Sequence, residues 1–211
     1  MPARELPPRD QERTAFSSIL QNLLDAVPGA VGAALVDSLG EAVDYAGVLD
    51  RFDICVAAAH LQLQMRTVDE ALSVTHGRVR GMVVGASRRS YAARELVDGY
   101  VVVIVFAAGC AFSVSSRAFA HAEYEIRAEG GWEPAAGVER WATANVVARP
   151  HNRWRPSRVR VGETWFDVEV IGALVGLDDG ERGYRVRTDA GVEMTLVRER
   201  TGVWYADIRI G

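Results

Sequence analysis

Residues 50–107 read DRFDICVAAAHLQLQMRTVDEALSVTHGRVRGMVVGASRRSYAARELVDGYVVVIVFA, and their periodicities decide the fold. The spacing predicts one long helix from about Asp50 to Thr75, capped by Asp50 or Asp53 and ended by Gly77. Ile54, Ala58, Leu61, Met65, Val68 and Leu72 recur at alternating steps of four and three, which draws one apolar stripe. Phe52, Val56, Ala59 and Leu63 draw a second stripe beside it. One stripe suffices to cover a sheet, so the second implies a further buried surface, and a second copy of the chain is the first candidate. Three strands follow: Arg78–Ala86, Arg89–Leu96 and Tyr100–Ala107. In the first of these Val79, Gly81, Val83 and Gly85 alternate with Arg78, Arg80, Met82 and Val84. Glycines inside a strand often mark close approach by another backbone or a helix. Asp98-Gly99 is a strong two-residue hairpin signal, and Tyr100–Ala107 is apolar throughout, as in a strand buried on both faces.

Upstream, Phe16, Ile19, Leu20, Leu23 and Val27 form a helical stripe, with Asp10 as its expected cap and Pro28-Gly29 as its end. Ala30–Val36 and Glu41–Ala46 read as a hairpin around the type I turn Asp37-Ser38-Leu39-Gly40. Downstream, a helix from near Ser113 to Glu129 turns Phe119, Ala122 and Ile126 inwards. The order helix, two strands, helix, three strands, helix excludes a doubly wound parallel fold. It predicts an α+β fold: a five-stranded antiparallel sheet, a long central helix and flanking helices.

The remainder differs. Residues 131–156 read as a linker rich in Pro, Gly and Ala, holding Trp132, Trp141 and Trp154. Five short strands follow: Arg158–Val161, Thr164–Ile171, Tyr184–Thr188, Val192–Arg198 and Val203–Ile210. They predict a small all-β barrel of the SH3-like or OB kind. The expected organisation is a flexible tail over 1–11, an α+β domain over 12–130, the linker, and the barrel over 157–211. Charge supports a boundary near 140: residues 1–139 hold 12 Arg against 18 acidic residues, a balance of −6, and residues 140–211 hold 12 Arg against 10, a balance of +2.

Composition excludes several chemistries. All 24 basic residues are Arg, so no Walker-A lysine, PLP Schiff base or Ser–Lys pair is available. Cys55 and Cys110 sit in apolar runs and read as small buried hydrophobes. His60, His76, His121 and His151 have no ligand spacing, and Asp178-Asp179-Gly180-Glu181 reads as a solvated turn. No catalytic, cofactor or metal residues are expected. No run approaches a membrane span, and the N-terminus lacks the apolar core of a secretory signal, so a cytoplasmic protein without membrane contact is the default expectation. One polar cluster stands out: Arg149, Arg153, Trp154, Arg155, Arg158 and Arg160, a candidate surface for an anionic partner. Contact of these arginines with the acidic N-terminal region ranks ahead of nucleic acid, because a balance of +2 is low for a nucleic-acid binder.

The Val27-Pro28-Gly29-Ala30-Val31-Gly32-Ala33 entry, the Leu35-Val36-Asp37-Ser38-Leu39-Gly40 hairpin, the Ala-rich helix, the Val83-Val84-Gly85 strand and the Leu96-Val97-Asp98-Gly99-Tyr100 hairpin occur in a telling order. Over about residues 14–129 the chain resembles the Roadblock family, dynein light-chain relatives whose bacterial members include MglB-type GTPase regulators. Glu41-Ala42-Val43-Asp44 is more acidic than that family's usual second strand. The resemblance implies a Roadblock/longin/profilin-like fold and a homodimer joined through the strand at Val79–Val84, with the long helices alongside. Its expected interface is Ile54, Ala58, Leu61, Met65, Val68, Val79, Met82 and Val84. It also implies a non-enzymatic binding or scaffold protein for a small Ras-like GTPase or a related complex. The C-terminal segments Arg158–Trp165 and Tyr184–Asp189, with Trp204, are similar to a small β-rich domain of unknown function in bacterial chains associated with error-prone DNA polymerases. The alternative class is therefore a nucleic-acid-associated protein acting through the C-terminal arginines.

Overall fold

The computed structural model describes residues 13–110, 115–133 and 141–207, with the backbone alone of Ser73, Thr75 and His76. The described residues divide into two compact units: 13–110 with 122–133, and 115–121 with 141–207. Among them no helix is long and apolar enough to cross a membrane.

The first unit contains α1 (Ala15–Ala26), β1 (Ala30–Val36), β2 (Ala42–Gly47), α2 (Arg51–His76), β3 (Gly81–Gly85), β4 (Ser90–Glu95) and β5 (Val101–Phe106). The last helix, α3 (Ser116–Glu129), supplies residues to both units. The sheet is antiparallel, in the order β2-β1-β5-β4-β3. β5 is buried along its whole length between β1 and β4, as its unbroken apolar run predicts. Glycine and aspartate set the turns. Asp98 and Gly99 adopt φ of 52° and 79°, the left-handed pair that a two-residue hairpin needs. The Asp37 carboxylate accepts from the Leu39 and Glu41 amides, closing the first hairpin.

The cap of α1 is Thr14; Asp10, expected in that role, lies outside the described residues. Thr14 Oγ1 accepts from the Ser17 amide while Ser17 Oγ accepts from the Thr14 amide, a reciprocal capping box. Buried Asp44 of β2 accepts from the Thr14 hydroxyl and from the Tyr45 amide. The acidic second strand thus has a structural use: it fixes the start of α1.

α2 covers one face of the sheet. Ile54, Ala58, Leu61 and Met65 pack with Ala34, Val36, Tyr45, Ala93, Val101, Val103 and Val105. Each large side chain in this stripe contributes about 1.5–3 kcal/mol by burial. The helix lies close enough that a Cβ on Gly32 would sit 2.7 Å from Ile54 Cδ1. Of the two strand glycines read as close-approach positions, Gly81 has the Ala93 carbonyl 3.0 Å from an ideal Cβ, whereas Gly85 meets nothing within 4 Å.

In the second unit the stretch read as a linker proves partly ordered: residues 141–156 hold β6 (Trp141–Thr143), β7 (Val146–Arg149) and the first half of β8 (Asn152–Val161). The strands β8, β9 (Thr164–Ala173), β10 (Arg182–Thr188), β11 (Glu193–Arg198) and β12 (Trp204–Asp207) occupy the five expected positions. They belong to a seven-stranded sheet, β6-β12-β11-β10-β9-β8-β7, not to a five-stranded one. Residues 144 and 145 connect β6 to β7, with the Ala144 amide bonded to the Trp204 carbonyl and the Asn145 carbonyl to the Arg160 amide. Val159, Val168, Val186, Leu196 and Trp204 form the core of this sheet.

Candidate functional site

β3 is the last strand of its sheet and pairs only with β4, so one edge of its backbone is unpaired among the described residues. Residues of alternating face emerge beside it. Met82 and Val84 turn towards the α2 layer and pack on its core, while Gly81, Val83 and Gly85 face outwards, Val83 being 54% exposed. Val79 is half-buried, and its amide donates to the Asp69 carboxylate at 2.6 Å, which ties the approach of β3 to α2.

The structure separates the two stripes of α2. Ile54, Ala58, Leu61 and Met65 are buried within their own chain, so they are spent on the internal core, a correction to their expected place on a partner-facing surface. The reason is geometric: their face is the one that lies on β1, β2, β4 and β5. Val68 is half-buried. The second stripe is the one left outside, with Phe52 73% and Leu63 55% exposed and Val56 exposed beside them. Phe52, Val56, His60 and Leu61 of α2, with Val84 and Tyr91, line an open groove of about 360 Å³ between the helix and the β3–β4 edge. Periodicity found both stripes; the direction of each needed the sheet.

The expected anionic-partner residues stand in different settings. Arg158 pairs with Asp167 at 3.4 Å and Arg160 with Glu163 at 2.8 Å. Arg149 is exposed. Arg155 is half-buried, and its Nε is buried without a partner. Arg153 stands 5.3 Å from the centre of the Trp154 ring, joined there by Arg198 at 4.4 Å and Arg182 at 6.0 Å. Those last two arginines come from β10 and β11, far along the chain, and no local pattern announced them.

A second group also escaped the sequence reading. In the second unit Arg117 Nη1 reaches Glu181 at 2.8 Å and Glu199 at 3.2 Å, and its guanidinium stands 5.0 Å from the centre of the Trp141 ring. Ser115 Oγ donates to Glu199 at 2.7 Å and also contacts the Tyr205 hydroxyl at 3.2 Å. Burial works against the Arg117 charge, but Glu181 and then Glu199 more than offset it and hold the guanidinium above its ordinary range. Burial raises Glu199, opposed by Ser115 and Arg117. Burial likewise pushes Tyr205 up to about 12. Two carboxylates sharing one arginine make a packed ionic core for the unit. Among the described residues no group of three His, Cys, Asp or Glu side chains is gathered to hold a metal ion.

Neither a family model nor a curated protein matches the chain. Solved Roadblock-type structures resemble it. MglB from Myxococcus xanthus is 15% identical, with a TM-score of 0.49, over 57% of this chain and 98% of that one. MglC from the same organism is 22% identical, with a TM-score of 0.40, over 55% and 99%. A Roadblock/LC7 domain from Streptomyces avermitilis is 17% identical, with a TM-score of 0.39, over 53% and 88%. These likenesses cover about half of the chain, which carries a further β-rich unit besides.

Proposed function

We propose that the chain is a non-enzymatic, dimeric binding module of the Roadblock type that holds or regulates a small Ras-like GTPase, or scaffolds a related complex, in the cytoplasm. The observation that carries this reading is the unpaired edge of β3 lying beside an exposed apolar stripe of α2. An exposed edge with apolar neighbours invites strand pairing, and a second copy satisfies both at once. The partner-facing set is Phe52, Val56, Leu63 and Val83, with Val68, Val79, Met82 and Val84 at its margin. The GTPase is what the resemblance to Roadblock regulators implies. The second unit reads as a small barrel, since residues 141–149 border β12 at one end and β8 at the other.

Hydrogen exchange across a concentration series tests the edge. Amides of Gly81–Gly85 on the free side of β3 are expected to gain protection as concentration rises, and exchange independent of concentration would contradict the pairing. Purified Ras-like GTPases, loaded with GDP or a GTP analogue, test the partner. State-dependent binding to the immobilised chain is expected, and no binding in either state removes the GTPase and leaves the scaffold reading.

A second reading has its own observation. The arginines around Trp154 favour a nucleic-acid-associated role for the second unit, with the aromatic ring and guanidinium groups typical of strand-binding surfaces. It ranks behind the first because Arg158 and Arg160 are already paired.

A further inference from the structure

Arg182 and Arg198 are direct cross-strand partners in the β10–β11 hairpin. Like charges placed opposite each other destabilise a sheet. The other end of the hairpin shows the ordinary solution: Glu193 accepts from Arg185 at 3.0 Å and from Arg187 at 2.6 Å. At the Arg182–Arg198 end no carboxylate among the described residues plays that part. The sequence neighbours Glu181 and Glu199 are both committed to Arg117. The exposed Arg153 brings a third positive charge to the same ring. Arg182 Nη1 bonds to the backbone carbonyl of Glu181, at 2.7 Å. No carboxylate pairs with Arg153, Arg182 or Arg198 among the described residues. The three guanidinium groups stand 4.4–6.0 Å from the centre of the Trp154 ring, which contributes no charge to offset theirs.

We propose that Arg153, Arg182, Arg198 and Trp154 form a binding site for a phosphate-bearing anion. A single carboxylate would leave most of the positive charge uncompensated. Phosphate oxygens match the forked geometry of guanidinium groups, and a phosphodiester strand or an oligophosphate supplies several charges at once. The site deepens the second reading of this unit and does not depend on dimerisation. It keeps Arg153 and Trp154 of the run Arg149–Arg160 and adds Arg182 and Arg198, which the chain order hides.

The full chain, its Arg198→Gln and Arg182→Gln variants, and Arg187→Gln as a control would be titrated with inorganic tripolyphosphate and with labelled oligothymidylate. Both probes are expected to bind the wild type, with affinity falling as salt rises. Arg198→Gln and Arg182→Gln should each lose about tenfold, as expected for a charged hydrogen bond, while Arg187→Gln binds as the wild type. Melting checks the fold: removing one of two opposed charges should leave Tm no lower than in the wild type. Loss of tripolyphosphate and oligothymidylate binding together, in variants that stay folded, supports the site with a strand as ligand. Tripolyphosphate binding alone supports the site and overturns the nucleic-acid reading. Oligothymidylate binding that the two variants leave unchanged overturns the site and keeps that reading. No binding of either probe by the wild type overturns both.

Discussion

Gly47 ends β2 at a φ of +112°, and a Cβ there would fall 2.5 Å from the Val31 carbonyl oxygen and 2.7 Å from Gly32 Cα. Both obstacles are backbone, so neither yields by a rotamer change. Gly47→Ala is expected to cost about 2 kcal/mol or more and to lower the first unit's melting temperature by several degrees in a thermal scan. Tyr205 gives a different signature. Its hydroxyl, raised by burial from 10.0 to about 12, favours the folded state wherever the phenol is protonated. The sign follows: this contribution is complete below pH 10 and is lost as pH rises through about 12. Melting of the second unit, followed by the fluorescence of Trp141, Trp154, Trp165 and Trp204, should therefore fall across that window. Tyr205→Phe, which has no proton to lose, should flatten the alkaline decline even though it gives up the contact with Ser115.

α2 is where two kinds of burial divide. Ile54 is fully enclosed and Phe52, two residues away, is mostly exposed. Ile54→Ala is expected to cost about 2–5 kcal/mol, seen as a lower denaturation midpoint. Phe52→Glu should leave that midpoint within about 0.5 kcal/mol of the wild type at concentrations where the chain is monomeric, and act only on association. The helix, its double stripe and the strands after it were legible because periods of 3.6 and 2 are local properties of the chain. The Asp98-Gly99 hairpin was legible for the same reason: two left-handed residues are a local demand. The facing of each stripe was not, since it depends on which strands meet beneath the helix; the sequence leaves open which face meets a partner, and four of the expected interface residues lie on the sheet side. Strands β6 and β7 were hidden by the Pro, Gly and Ala content around them. Arg182 and Arg198 at Trp154, like Glu181 and Glu199 at Arg117, are far apart in sequence, and the β10–β11 pairing, not spacing, brings each pair together.

At the scale of the whole molecule, the chain joins an α+β unit with an open sheet edge to a β unit with its own hydrophobic and ionic cores. As proposed, the first of these is completed by a second copy, and binding follows from the surface so made. Static light scattering of the full chain at tens of micromolar measures this claim directly, with Leu63→Glu as the matched variant. The expected result is twice the mass of the 23.0 kDa chain for the wild type and a shift towards the single-chain mass for Leu63→Glu, with unchanged circular dichroism. A wild-type chain that remains at its single-chain mass throughout that range would contradict the account.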